Sequence, residues 1–506
     1  MSYSPSLSSG YTQARNASPF LSPQSGMCSF CTESCNGTCE LTLAAVLGAQ
    51  TVYPMTTGAN QIASEKDYPI DYSHFNINGR VFGAVGAEPT YEAANIHNVN
   101  LERTYGRLHP VKLALPVVLP ALIKLNWKDY FGGAAMAGVS CTIGEDAKSK
   151  DPDLVTRNGR VTEFPFLVDI LDSFNRYDRG YGQIILQCNV EDDMQGVPEV
   201  AIEKYGCKAI EFKFGQSAKG TQPVIRLPDL ETAKKRQAGG MIVYPDPSDP
   251  AVEQAFADGV CPNFYQYARL PLWDEAYMTR RVAEVRALGA ENVTFKMAGY
   301  APADLERVLR LGAAAGVDLI TFDGAGGGSG YSPCKMMNEW SLPTVCLEDE
   351  VVRICKRLKA EGVEPPAVAV TGGFASEDQV FKALALGDGC VTAVGLCRAS
   401  MAAAMRGKKI GDQLREGAVP ELFRKYGATV EEVFADLPDL RALYGKEANG
   451  FSTGAIGVFS YLNKIGFGLR HFAALNRKFG VEHLDRSDLI PLTRDAKDLL
   501  EGHWLG

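Results

Sequence analysis

The sequence, 506 residues long, has no apolar run long enough to form a membrane helix. Its best candidates, 41–53 and 113–123, are short and broken by Pro or polar residues. The first twenty residues, MSYSPSLSSGYTQARNASPF, lack the apolar core of a secretory signal and read as a Ser-rich flexible tail. A cytoplasmic location is therefore expected. There is no surplus of positive charge: 51 Lys and Arg stand against 60 Asp and Glu, a net charge of −9. That balance argues against a nucleic-acid partner, which would need a basic face. The six histidines (74, 97, 109, 471, 483, 503) show no metal-like spacing. No internal repeat is visible. The 13 cysteines are an odd number in a long chain without a secretory signal, which does not suggest a disulfide framework.

What is present is an ordinary globular composition, 46% hydrophobic and 22% charged. From about residue 110, short apolar runs alternate with amphipathic stretches. Eight runs read as buried parallel strands: 112–122, 134–143, 182–190, 208–215, 292–299, 318–326, 367–374 and 390–397. GMIVYP (240–245) reads as an extra strand or a loop support. Helices are expected over 304–316 and over 376–387, the latter capped by Ser376 and stopped at Gly387. Eight strand–helix units predict a (β/α)₈ barrel, with a doubly wound open sheet as the alternative. The resulting plan is a tail (1–26), a cysteine-bearing N-terminal segment (27–109), the barrel (110–404) and a helical C-terminal extension (405–506).

In such barrels the reactive residues stand at the C-terminal ends of the strands. Three successive ends are glycine-rich: Asp323 followed by Gly324 and Gly326–Gly328, then Gly372–Gly373, then Gly395 before Leu396. Glycine lets backbone N–H groups approach an anion, so a phosphate site is expected there, with the helix near Ser376 adding its dipole. Lys213 and Lys296 lie near the ends of the fourth and fifth strands. A lysine in a strand covered on both faces needs an anion, unless it snorkels to solvent.

These elements resemble the synthase domain of glutamate synthase large subunits, in the form of its stand-alone flavin-binding relatives. EFKFGQSAKG (211–220) resembles EIKIGQGAKPG, VTFKMA resembles VSVKL, and ITFDGAGGGSGYSP (320–333) resembles ITISGHDGGTGASP. VTGGFASEDQVFKALALG (370–387) and LDRSDLIPLTRDA (484–496) also resemble that family. The resemblance implies FMN at the barrel mouth. Its phosphate would lie on Gly372, Gly373 and Gly395 and on the glycines Gly326, Gly327 and Gly328; Gln187 and Lys296 would face its ring, and Asp323 and Leu396 would also belong to the cofactor site. It implies that Lys213, Lys219, Gln222 and Arg236 grip a 2-oxo acid, the last two by a gapped match. Glu145, in CTIGEDA, resembles a glutamate near the family's ammonia site and is a candidate for proton transfer. An exposed loop carboxylate is the alternative. The implied reaction is reduction of 2-iminoglutarate, from 2-oxoglutarate and ammonia, to L-glutamate, with CH–NH2 chemistry on the donor side.

Two family features are missing. The chain starts with Met1 and a Ser-rich tail rather than a glutaminase domain, so a separate glutaminase or free ammonium is expected. The region after the last flavin-binding strand keeps Cys390 and Cys397 but not the family's three close cysteines. In their place, Cys28, Cys31, Cys35 and Cys39 have the spacing C-x₂-C-x₃-C-x₃-C. Four thiolates this close suit a [4Fe–4S] cluster, with zinc the competing metal. Such a cluster would pass electrons to FMN from a ferredoxin or an NAD(P)H-dependent partner. An oligomer is expected. YPDPSDP (244–250) departs from the family's PPPHHD segment. Two alternatives therefore stand: another amino or imino acid as substrate, or an FMN and iron–sulfur electron-transfer subunit of a larger complex.

Overall fold

The computed structural model describes residues 68–123, 125–145, 147–215, 225–261, 263–325, 327, 336 and 340–502. Eight parallel strands close into a barrel: β1 (Val117–Leu122), β2 (Ser140–Ile143), β3 (Ile184–Cys188), β4 (Ala209–Lys213), β5 (Asn292–Ala298), β6 (Leu319–Asp323), β7 (Ala367–Thr371) and β8 (Val391–Gly395). Nearly every residue of these strands is buried, which is why they read as continuous apolar runs. Each strand is followed by a helix: α1 (Trp127–Ala137), α2 (Phe166–Asn175), α3 (Val197–Tyr205), α4 (Glu275–Ala287), α5 (Pro302–Ala315), α6 (Thr344–Ala360), α7 (Glu377–Gly387) and α8 (Arg398–Arg415). The eight-unit barrel expected from the apolar runs is thus present.

Two strand boundaries are corrected. In the run 112–122 only Val117–Leu122 enters the barrel, while Val111–Leu113 pairs antiparallel with Arg103–Tyr105 in a separate two-stranded sheet. The run 134–143 is not all strand: residues 134–137 end α1, and Gly138, at φ +72°, turns the chain into β2. A Gly/Ala run suits either state by periodicity alone. It is helical because α1 packs against α9 (Thr453–Leu475) of the C-terminal extension, where a side chain larger than hydrogen has no room. A Cβ on Gly133 would stand 2.4 Å from Val458 Cβ and 2.7 Å from the Ala455 carbonyl oxygen. The α8 side of the same crossing is equally close, since a Cβ on Gly407 would meet the Thr453 carbonyl oxygen at 2.5 Å. Gly133→Val is expected to cost about 3 kcal/mol through overpacking. Urea denaturation reads this, and an unchanged midpoint would refute it.

Between β4 and α4 the chain makes an excursion. Its strands Ile225–Leu227, Phe264–Tyr267 and Ile242–Tyr244 form a small antiparallel sheet, with Phe264–Tyr267 in the middle. The run at 240–245 is therefore a strand, but outside the barrel. Leu227, Ala233, Val243 and Phe264 give this sheet its own core.

The N- and C-terminal segments clasp each other beside α6 and α7. Phe75–Ile77 pairs antiparallel with Leu489–Pro491. Two buried contacts pin the clasp to α6. Arg486 meets Asp349 at 2.7 Å, and the Tyr72 hydroxyl donates to Glu348 Oε2 at 2.6 Å. Burial pushes the Glu348 carboxyl well up, which favours its protonated form in the fold. The sign follows. A raised carboxyl contributes its full stability below the ordinary carboxylate range and loses it as pH rises toward the folded pKa. Glu348→Gln, which can still accept from Tyr72, is expected to match the wild type at pH 4. It should grow progressively more stable than the wild type toward pH 8 in urea denaturation. Parallel pH profiles would show that Glu348 ionises freely in the fold.

Candidate active site at the C-terminal end of the barrel

Strand register decides which side chains enter the lumen. Glu211 pairs with Gln187 on one side and Thr294 on the other, and Lys213 pairs with Lys296, which pairs in turn with Thr321. Residues two apart on a strand share a face, so Glu211 and Lys213 point the same way, as do Thr294 and Lys296. Toward the mouth, Asp323 pairs with Thr371 and Thr371 with Gly395. The upper lumen is therefore polar, in a barrel whose walls are otherwise apolar.

Both strand lysines are buried, Lys213 at 7% and Lys296 at 4% exposure, so neither snorkels to solvent. Lys213 Nζ meets Glu145 Oε1 at 2.5 Å. Glu145, from the loop after β2, is mostly buried and not an exposed loop carboxylate. Burial opposes the charge on Lys296, but Asp323, Glu211 and Glu145 outweigh it and raise its pKa. Lys296 is thus a protonated cation set among carboxylates. Burial pushes the Glu211 carboxyl up, against the pull of Lys296. Gln187 Nε2 donates to Glu211 Oε1 at 2.6 Å, while Gln187 Oε1 is buried with no partner among the described residues. Glu211 is the member of this cluster that motif reading missed. Its signal was the spacing Glu-x-Lys inside a buried strand, which puts an acid and a base on one face.

The glycine-rich ends serve different purposes. Gly372 and Gly373 have φ of +127° and +100°. A Cβ on Gly372 would come within 2.5 Å of Thr344 Oγ1, whereas one on Gly373 would meet nothing within 4 Å among the described residues. Gly372 is therefore packing and Gly373 faces open space. A Cβ on Gly395 would stand 2.6 Å from Thr371 Cβ, which makes it packing as well. Gly327 lies against the Asp323 carboxylate, its Cβ position 2.2 Å from Oδ1. Leu396 is fully buried, its N–H donating to the Val118 carbonyl at 3.0 Å. It has no N–H to offer an anion.

The helix near Ser376, expected to add its dipole at the phosphate, carries a local cap and two acids at that end. The amides of Ala375 and Ser376 both donate to Gln379 Oε1, and Glu377 and Asp378 occupy the first turn of α7. That end is capped and negative. Helix α8 instead opens with Arg398 and has no acid in its first turn, which suits an anion better.

Several expected residues are not brought together. Arg236 sits half-buried on the helix Leu230–Ala238, which packs on the small excursion sheet. It makes no ion pair with the described residues of the lumen cluster. Lys219, Gln222, Gly326, Gly328 and the four cysteines Cys28, Cys31, Cys35 and Cys39 lie outside the described residues. Among the described residues, no three His, Cys, Asp or Glu side chains are grouped to hold a metal. No helix among them is long and apolar enough to cross a membrane.

Residues 272–405 match the family model of the conserved region in glutamate synthase. This span runs from α4 through β5–β8 into α8. No curated protein matches the sequence. Among solved structures, a double mutant of flavocytochrome b2 with pyruvate bound is 14% identical, with 86% of this chain and 79% of that one covered at a TM-score of 0.47. The flavin-binding domain of baker's yeast flavocytochrome b2 is 12% identical, with 83% and 78% covered at 0.45. A mandelate oxidase mutant with a monooxide FMN adduct is 15% identical, with 83% and 88% covered at 0.41. These likenesses carry no substrate or cofactor over to this chain. Residues 272–405, the half of the barrel that holds Lys296, Asp323 and Gly373, thus carry the conserved region described for glutamate synthase.

Proposed function

We propose that this protein is an FMN-dependent oxidoreductase of the glutamate synthase type, reducing the imine of a 2-oxo acid to an amino acid. The observation that carries the reading is the convergence of two buried lysines, Lys213 and Lys296, on the C-terminal end of a closed parallel barrel. The residues fit FMN in three respects. Gln187 Oε1 is a buried acceptor without a partner among the described residues. Gly373 leaves open space at a strand end. Lys296 is a buried cation suited to an anionic ring. Bound FMN would supply the two-electron reducing equivalent.

The chain's own residues would do the rest. Lys296 would stabilise negative charge on the ring, and Gly373, with Arg398 at the opening of α8, would receive the phosphate. Lys213 would hold a substrate carboxylate by a charge-assisted hydrogen bond. Glu145, its partner, would move a proton at the amine or imine nitrogen. Lys219, Gln222 and Arg236 remain proposed substrate contacts from the family resemblance.

2-Oxoglutarate with ammonia is the first substrate to test, giving L-glutamate. A second reading keeps the barrel and changes the acid. The small sheet between β4 and α4 occupies the stretch where the sequence departs from the family, and it favours a reshaped substrate end. Protein reduced anaerobically should be reoxidised on mixing with 2-oxoglutarate and ammonium. Reoxidation only by another oxo or imino acid would favour the second reading. Reoxidation only by a partner protein would make the chain an electron-transfer subunit.

The cysteine motif at 28–39 supports a [4Fe–4S] cluster as the electron entry point. Anaerobically purified protein is expected to contain about four irons per chain and a broad visible absorption beyond the flavin bands. Zinc without iron would remove the cluster from the reading.

A further inference from the structure

Glu211 has no role in the reading above, yet it is the most constrained polar group of the lumen. It is buried at 3% exposure, one residue pair deeper than Lys213, and its register neighbours are Gln187 and Thr294. Gln187 Nε2 donates to it at 2.6 Å. That bond commits the nitrogen end of the amide and leaves Oε1 as the end without a partner among the described residues. The Glu211 oxygen that accepts this bond holds the amide in this sense; burial pushes that carboxyl up, and Lys296 is the strongest charge opposing the push.

We propose that Glu211 is a positioning residue that locks Gln187 with its carbonyl oxygen free, so that the lumen selects a bound ring offering an N–H donor. This deepens the FMN reading and rests on it. The isoalloxazine system offers such a donor at N3–H. A buried acceptor left unmatched costs binding, so the lock acts as a selectivity filter and not only as a support.

The test compares FMN with its N3-methyl analogue, which lacks the donor. Dissociation constants are measured by fluorescence quenching for the wild type, Glu211→Leu and Glu211→Met, with circular dichroism confirming the fold. The wild type should prefer FMN, partly from the hydrogen bond and partly from the methyl group's bulk. In the apolar variants the preference should shrink about tenfold, the worth of one buried hydrogen bond. A role confined to packing would weaken both ligands equally, so an unchanged ratio overturns the proposal. Should both variants fail to fold, Glu211→Gln decides. Its neutral amide lets Gln187 turn either way, so the ratio must fall, and a ratio equal to the wild type's overturns the proposal. A wild type that binds neither compound takes the FMN reading down with it, which is a different result from an unchanged ratio.

Discussion

Lys296→Met is expected to leave a protein that is less stable, poorer in flavin and slower in turnover by about a thousandfold. The stability loss comes first. Asp323, Glu211 and Glu145 all act on Lys296. Removing the cation leaves buried carboxylates without their compensation, a change that costs about 3–5 kcal/mol when one partner of a buried pair is deleted. The functional loss has a definite sign. A cation beside an anionic reduced ring favours reduction, so its removal should make the flavin's midpoint potential more negative. Lys296→Arg retains the charge and should recover part of that shift. Potentials from dye equilibration, together with flavin content after gel filtration, check both effects. An unchanged potential in Lys296→Met would place the ring away from this lysine.

Lys213→Met is the second large effect, and it should fall on substrate rather than on flavin. Lys213 and Glu145 form a buried pair at 2.5 Å. Truncating one partner of a buried charged pair costs about 2–5 kcal/mol, so losing the proposed pair of Lys213 with the oxo acid's carboxylate should lower kcat/KM by roughly 30- to 5,000-fold. Flavin content should stay at the wild-type level, which separates this lysine from Lys296. Glu145→Gln tests proton transfer. It should lower kcat and remove one limb of the pH–rate profile while changing KM little. If the two residues act as one unit, the double variant should be no worse than Lys213→Met alone. Strictly additive losses would mean that the two residues act independently, Lys213 on the substrate carboxylate and Glu145 on the proton.

Legibility differed by element. The eight barrel strands were visible because both faces of each are covered, which leaves a continuous apolar run in the sequence. Ambiguity entered where composition suits two states. The Gly/Ala stretch at 134–137 reads as strand until α9 is laid across it, and only that contact explains Gly133. The strand at 242–244 was visible as a strand but not as part of a separate sheet, because pairing partners across long loops leave no local mark. At the site, the lysines announced themselves by the cost of burying a charge. The glycines at the strand ends looked alike in sequence. Their surroundings differ: Gly373 faces open space, while Gly372 and Gly395 are filled by Thr344 and Thr371. At the α7 terminus the Gln379 side chain accepts from the amides of Ala375 and Ser376, a local cap that glycine and serine spacing does not show.

Alternation, burial and spacing by themselves determined that this chain forms a parallel barrel with charged groups near its strand ends, because those features follow from local periodicity and solvation. Which groups meet was decided only by tertiary structure. Strand register sets Lys213 beside Lys296 and Glu211 beside Gln187, and barrel closure turns the β2 loop so that Glu145 reaches Lys213. Register is a property of pairs of strands distant in the chain, so no single segment encodes it.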